Sequence, residues 1–385
     1  MVDLRKPLPE AAPPFPVKTA YRPRVTLLDV AADAGVSRAT ASLVIREVPT
    51  VAATTRQRVL QSAKRLGYVY HRGAASLRMR QSHAVGLIVS DITNPFFAEV
   101  IVAIEDRLAA AGFVALLGNT SEDRAKEKRL LRTMREFPAD GVLICPAAGD
   151  ASFEEQDNFR GHSPAVAFAR RVPGLDYVGV DNAYGAELAI GHLYRIGHRR
   201  IAFLGGDPKI STRAERLRGY EKAFSRLQLT LDSLLVVPSA PNRRGGYDGM
   251  KKILKTDDPP SAALCFNDVV ALGAMEAVQH SGRKPGPDFG IVGFNNIPEA
   301  AQSLPGLTTV DTFPRQLGEA AAELLLRRIQ KPDLPVQTRI FEPQLVVRDS
   351  CGLAAGGLVP CSVRADGSSG GPENRAGEKR GIEKL

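Results

Sequence analysis

The sequence predicts a small all-α module followed by a two-lobed α/β body, and three observations carry that prediction. First, the formal net charge of +9 is unevenly placed. Arg24 to Ser82 holds ten Lys/Arg against three Asp/Glu, while His83 to Asp349 is close to neutral. Second, the stretch "VAADAGVSRATASLVIR" (Val30 to Arg46) sets a glycine between two short helical patterns. Third, from Ala84 apolar runs alternate with amphipathic stretches, and the alternation starts again about midway.

The chain has 385 residues, enough for two or three domains, with ordinary apolar (44%) and charged (24%) content for a globular protein. The reading divides it into an N-terminal extension (1–23), a headpiece (24–70), a hinge or linker (71–83), a body (84–349) and a tail (350–385). The extension is proline-rich and lacks a signal-like apolar core, and it is expected to be disordered. The tail is Gly/Ser-rich and also reads as disordered. No run of about 18 apolar residues predicts a membrane span. Cys145, Cys265, Cys351 and Cys361 show no CxxC or Cys/His spacing. They read as thiols in a reducing cytosol, and no metal or cofactor is expected.

Within the headpiece, Leu27, Leu28, Val30, Ala31 and Ala34 form one helical apolar face. Gly35 can take the left-handed conformation that ends a helix without a Cβ clash. Ser37 is placed to cap the next helix. There Ala41, Val44 and Ile45 recur at inward spacing, leaving Arg38, Ala39, Ser42, Leu43 and Arg46 on the other side. "TTRQRVLQSAKRLGY" supplies a third helix with Val59, Leu60, Ala63 and Leu66 as its stripe. Two short helices about a glycine turn form a helix-turn-helix, and a basic excess in so short a segment suits a polyanion.

The series "VTLLDVAADAGVSRATASLVIREVPTVAATTRQRVLQSAKRLGYVYHRGAASLRMRQS" resembles the DNA-binding headpiece and hinge of the LacI/GalR family of transcription regulators. The resemblance implies that the second helix enters the major groove, with Arg38 and Ala39 at base edges. Arg38 can pair with guanine and Ala39 can touch a thymine methyl. It also implies DNA contacts at Thr26, Leu27, Ser37, Thr40, Ser42, Arg46 and Thr55, the hydroxyls serving phosphates. In "HRGAASLRMR" it implies a hinge helix that forms on DNA, with Leu77 wedged into the minor groove and Ala74 packed beside it; a flexible basic linker is the other reading. Leu43 stands where many members have a base-reading arginine. Ala52 stands where a serine usually caps the third helix.

In the body, "AVGLIV", "FVALLGN", "DGVLIC", "AVAFA" and "YVGVDN" alternate with helices, then "RIAFLGG", "AALCFN" and "GIVGFN" do so again. This is the pattern of two sheets of parallel strands, with ligands expected at the strands' carboxyl ends. Asp91 and the following "NPFF", Asn119, Asp181, Asn267, Asp268 and Asn295 lie there, and Thr212 and Arg216 share one helix. These positions resemble the periplasmic-sugar-binding-like effector domain of LacI/GalR proteins, which implies an effector site at Asp91, Phe96, Phe97, Asp181, Thr212, Arg216, Asn267, Asp268 and Asn295. Either Phe96 or Phe97 can stack on a ring; Phe97, in the helical stripe, also suits the core. Asn295 stands where sugar-binding members commonly carry an aspartate, and Phe313–Pro314 reverses a common Pro-Phe order.

No GxGxxG follows a strand, and no GxxxxGK[ST], GxSxG or HExxH occurs, so the chain is not expected to be an enzyme. A transport sugar-binder would not carry the basic headpiece. The expectation is a cytoplasmic, homodimeric, ligand-responsive regulator, with repression the expected mode. Its partners would be double-stranded DNA with a pseudo-palindromic operator and a sugar or sugar acid. No membrane partner is expected.

Overall fold

The computed structural model describes residues 25–69, 82–137, 139–149 and 163–352. The expected extension (1–23), the hinge segment with Ala74 and Leu77, and the tail beyond Gly352 lie outside the described residues. The chain divides into two compact units at Ser82/His83.

The first unit is a three-helix module, α1 (Leu27–Asp33), α2 (Arg38–Ile45) and α3 (Ala53–Leu66). Thr26 and Asp29 form a capping box at α1: the Thr26 hydroxyl accepts from Asp29 N, and the Asp29 carboxylate accepts from Thr26 N at 2.7 Å. Gly35 turns the chain with φ +62. The turn is tied to α3, because Arg58 donates to Ala34 O at 2.6 Å and Gly35 O at 3.2 Å. Ser37 caps α2 by accepting from Thr40 N. Ala52 offers α3 no side-chain cap, as its identity requires. Val30, Ala31, Ala34, Ala41, Val44, Val59 and Ala63 make the core. Two residues read as part of the apolar faces are instead exposed, Leu28 (59%) and Leu60 (49%). Three short helices enclose only a narrow core, and one residue per turn beside it stays outside.

The second unit holds two six-stranded sheets. The first contains β1 (Ala84–Val89), β2 (Val114–Asn119), β3 (Gly141–Ile144), β4 (Ala165–Phe168), β5 (Asp176–Val180) and β11 (Thr338–Phe341), in the order β2-β1-β3-β4-β5-β11. The second contains β6 (Ile201–Leu204), β7 (Val236–Val237), β8 (Ala262–Cys265), β9 (Gly290–Asn295), β10 (Thr308–Asp311) and β12 (Gln344–Val346), in the order β7-β6-β8-β9-β10-β12. All pairs are parallel except β10 with β12. The central strands are buried on both faces, which explains their unbroken apolar runs.

The helices of this unit are α4 (Pro95–Ala110), α5 (Arg124–Glu136), α6 (Asn182–Arg195), α7 (Ser211–Arg226), α8 (Arg243–Ile253), α9 (Asp268–His280), α10 (Pro298–Gln302) and α11 (Pro314–Gln330). The lobes are not simply consecutive, as the sequence pattern suggests. After β10 the chain returns to the first lobe, where α11 packs on α4 and β11 pairs with β5, then leaves again for β12. It therefore crosses between lobes three times, after β5, after β10 and after β11. The tail boundary also needs correction. Ser350 and Cys351 are buried in the second lobe: Ser350 Oγ donates to Ile291 O at 2.6 Å and accepts from Thr308 N at 2.8 Å. Small residues give no apolar run to mark such a stretch. His83, read as linker, belongs to the body through its N–H to the Asp140 carboxylate at 2.8 Å. No described helix is long and apolar enough to cross a membrane.

Candidate functional site

Two sites emerge, one in each unit. In the three-helix module, Ser37, Arg38, Ala39 and Arg46 are exposed, and Ser42 and Leu43 are half-buried. The inward spacing of Ala41 and Val44 pins α2 to the core and turns its N-terminal residues outward. Such a helix presents its first turn to base edges. Ser37 and Thr40 share a 2.9 Å hydroxyl–hydroxyl bond at the cap. Thr26 donates its hydroxyl proton to Asp29 at 2.8 Å, so its first role is to fix the start of α1. Leu27 and Thr55 are half-buried beside the core.

In the body, a cleft of about 500 Å³, counting the part open to solvent, lies between the lobes. From the first lobe, Asn94, Phe96 and Phe97 reach it at the start of α4, Ala169 and Arg170 just after β4, and Val180 at the end of β5. From the second, Asn182 opens α6, Thr212 and Arg216 stand on α7, Phe266 and Asn267 follow β8, and Asn295 ends β9. Thr312, at the second crossing, and Leu317 complete it.

Arg216 organises the second-lobe wall. Its Nε donates to Asn182 Oδ1 at 3.0 Å, one Nη donates to Phe266 O, and the other donates to Asn295 Oδ1 at 3.4 Å. The guanidinium carbon sits 3.7 Å from the Phe294 ring centroid. Burial drives its pKa down to about 9. Across the cleft Arg170 is paired at both nitrogens with Glu122, at 2.8 and 2.7 Å, and also donates to Pro146 O. Phe96 and Phe97 stack edge-to-face, with centroids 5.1 Å apart, and both are largely buried. The two lobes also touch directly, where Gly149 N donates to Lys209 O at 2.9 Å.

Of the body residues expected from sequence, Phe96, Phe97, Thr212, Arg216, Asn267 and Asn295 meet in this cleft. Asp91, Asp181 and Asp268 are not among the residues that line it. Asp91 accepts from the backbone N–H and hydroxyl of Thr93, and Asp181 caps α6 by accepting from Tyr184 N. Asp268 is fully buried, accepting from Thr309 Oγ1 at 2.5 Å and Ile297 N at 2.9 Å. Each carboxylate is occupied with backbone or hydroxyl donors of the protein, Asp91 and Asp181 with those of their own turn and Asp268 with Thr309 and Ile297. No cluster of potential metal ligands occurs among the described residues.

Comparison with known proteins settles the kinship of both units. Residues 26–70 match the family model "Bacterial regulatory proteins, lacI family", and residues 190–351 match "Periplasmic binding protein-like domain". The HTH-type transcriptional repressor PurR of Mannheimia succiniciproducens is 33% identical over 329 residues, covering 84% of this chain and 98% of the relative. The chain belongs to the lacI family of bacterial regulatory proteins. It is a DNA-binding transcription regulator with a small-molecule effector domain, not an enzyme. The HTH-type transcriptional repressor CytR of Escherichia coli K12 is 32% identical over 84% of the chain and 96% of the relative. A Lac repressor dimer bound to operator and an anti-inducer superposes with a TM-score of 0.77 at 26% identity, covering 85% of this chain and 99% of that one. A CelR–cellobiose complex gives 0.65 at 29% identity, covering 85% of this chain and all of that one.

For this family member, Arg170, Asn182, Thr312, Phe266 and Leu317 were missed as cleft residues. The rule that ligands sit at strand ends applies to most of them, since Arg170, Phe266, Asn182 and Thr312 each lie within two residues of a strand end.

Proposed function

We propose that this regulator is a repressor, acting in the cytoplasm as a homodimer on a pseudo-palindromic operator, with operator affinity set by a sugar or sugar acid held between the lobes. The observation that carries the proposal is the cleft itself: aromatic rings on one wall, a buried guanidinium and carboxamides on the other, and three crossings that let the lobes change angle. Such a mixture of apolar faces and a few fixed polar groups suits a small polar ring. Known relatives are named repressors, and a similar structure carries cellobiose. Homodimer formation is supported by an apolar edge, with Val114, Leu116 and Leu117 of β2 and Val102 of α4 exposed. Arg38 and Ala39 read bases, Ser37, Thr40, Ser42 and Thr55 position phosphates, and Leu77 with Ala74 forms the minor-groove wedge. Arg46 and Leu27 support the recognition helix at the groove.

The test is selection of a DNA site from random duplexes with the full chain, followed by fluorescence anisotropy with and without candidate ligands. A two-fold-symmetric site whose affinity changes at least fivefold with one sugar or sugar acid supports the proposal. The direction of the change assigns that molecule as inducer or co-repressor. Equal binding to all duplexes, insensitive to every ligand, refutes it.

A further inference from the structure

We infer that the effector of this regulator bears a carboxylate, received by the donors that Arg216, Asn295 and Thr312 present to the cleft; this deepens the cleft reading above and rests on it. The reasoning is an account of donors and acceptors. Among the described residues the lining contains two guanidinium groups and no carboxylate. Arg170 already has its counter-ion in Glu122. Arg216 has no carboxylate bonded to it: its partners are two carboxamide oxygens, one carbonyl and aromatic rings. The acids near it are engaged elsewhere, Glu215 with Asn182 Nδ2 at 2.7 Å and Asp268 with Thr309 and Ile297.

The four lining carboxamides lean the same way, because each oxygen already accepts one bond from the protein and keeps a single lone pair for a ligand. Asn94 Oδ1 accepts from Phe96 N, Asn182 Oδ1 and Asn295 Oδ1 from Arg216, and Asn267 Oδ1 from Val270 N. The Nδ2 groups of Asn94 and Asn295, by contrast, donate to nothing among the described residues. Thr312 Oγ1 is buried with no hydrogen-bond partner among the described residues. The cleft therefore offers more free donors than free acceptors, and its Arg216 guanidinium has no carboxylate bonded directly to it.

A neutral sugar brings a donor with every hydroxyl, and those protons need acceptors when desolvated. A carboxylate only accepts, and it pairs with a guanidinium through charge-assisted bonds. It supplies what this cleft lacks. Asn295 is the residue at which the balance is set. An aspartate there would neutralise Arg216 from within the protein and restore an acceptor.

The experiment is isothermal titration calorimetry on the full-length protein with matched ligands, alongside operator-binding anisotropy. The set is galactose with galacturonate, glucose with glucuronate and gluconate, and glucose 6-phosphate. One of the carboxylates is expected to bind at least tenfold tighter than its neutral counterpart and to shift operator affinity. N295D is expected to shrink that preference at least tenfold, and T312V to weaken the acid at least threefold. A neutral sugar that binds as well as its acid overturns the inference and leaves the cleft reading intact. An unaltered preference in N295D, or binding of the phosphate ester alone, also overturns it. Binding of no compound, with operator affinity unmoved, overturns the cleft reading and this inference with it.

Discussion

A single methyl group on α7 should uncouple the effector site while leaving the DNA-reading module untouched. Gly219 lies where α7 crosses α6, and a Cβ built there would stand 2.0 Å from Ala183 O. Ordinary contact begins at 3.4 Å, so in Gly219→Ala the helices must part by roughly 1.4 Å at the crossing. Arg216 is one turn earlier on α7, and its partner Asn182 is next to Ala183. Their Nε–Oδ1 bond of 3.0 Å would open to about 4.4 Å, past hydrogen-bonding range. Over-packing costs about 1–3 kcal/mol and the lost bond about 1 kcal/mol more. Urea denaturation followed by circular dichroism should therefore show a loss of about 2–4 kcal/mol in the body. Calorimetry should show the effector bound at least tenfold more weakly, and ligand-free operator affinity should change less than twofold. A wild-type midpoint together with wild-type effector affinity would refute the reasoning, because the helices would then absorb the methyl without moving Arg216.

Other outcomes follow from the same geometry. Arg38→Ala should lower operator affinity by about 1–3 kcal/mol per half-site and relax preference at one base position, read by competition with substituted duplexes; an equal loss on every sequence would exclude base reading. Arg328→Ala leaves Asp176 without its counter-ion; its carboxylate is 2% exposed, takes two bonds of 2.7–2.8 Å from Arg328 and keeps one from Gln337 N at 2.7 Å. It should cost about 3–5 kcal/mol in thermal or urea unfolding, and a loss below 1 kcal/mol would contradict that role. Asp268 has its carboxyl pushed up to about 6 by burial, above the unfolded value of 3.8. Between those two values the folded chain holds a proton the unfolded chain lacks, so its contribution to stability falls as pH rises to about 6 and is flat above. Asp268→Asn should remove that slope from the pH dependence of unfolding; a variant that keeps the slope would assign it to another group.

The architecture was legible because its signals are coarse. Doubly buried parallel strands such as Leu87–Val89 and Ala262–Cys265 appear as unbroken apolar runs, and a Gly35 turn followed by a Ser37 cap marks the helix pair. The return of α11 and β11 to the first lobe was not legible. "TRIF" is an edge strand with mostly exposed residues, and pairing partners leave no local trace. The cleft was legible at Phe96, Phe97, Thr212, Arg216, Asn267 and Asn295, and elsewhere the reading falls one residue away. Asp181 was chosen beside Asn182, and Asp268 was singled out beside Asn267. Asp181 caps α6 while Asn182 faces the cleft, and Asn267 caps α9 while Asp268 is buried against Thr309 and Ile297, so at each helix start one position separates a cleft residue from one turned away. Thr312 gave no signal of its own, since its importance is a hydroxyl left without a partner by the packing around it.

The three passages between the lobes also set an order of synthesis. The headpiece core closes with α3, so it can finish early on the ribosome. The first lobe cannot, because α11 and β11 come from residues 314–341, after most of the second lobe has been made. Until then α4 lacks the helix it packs against and β5 has an open edge, a template for another chain. A truncation before Phe341 would thus release a DNA-reading module attached to an aggregation-prone sheet, and no single cut in the chain can yield either lobe whole.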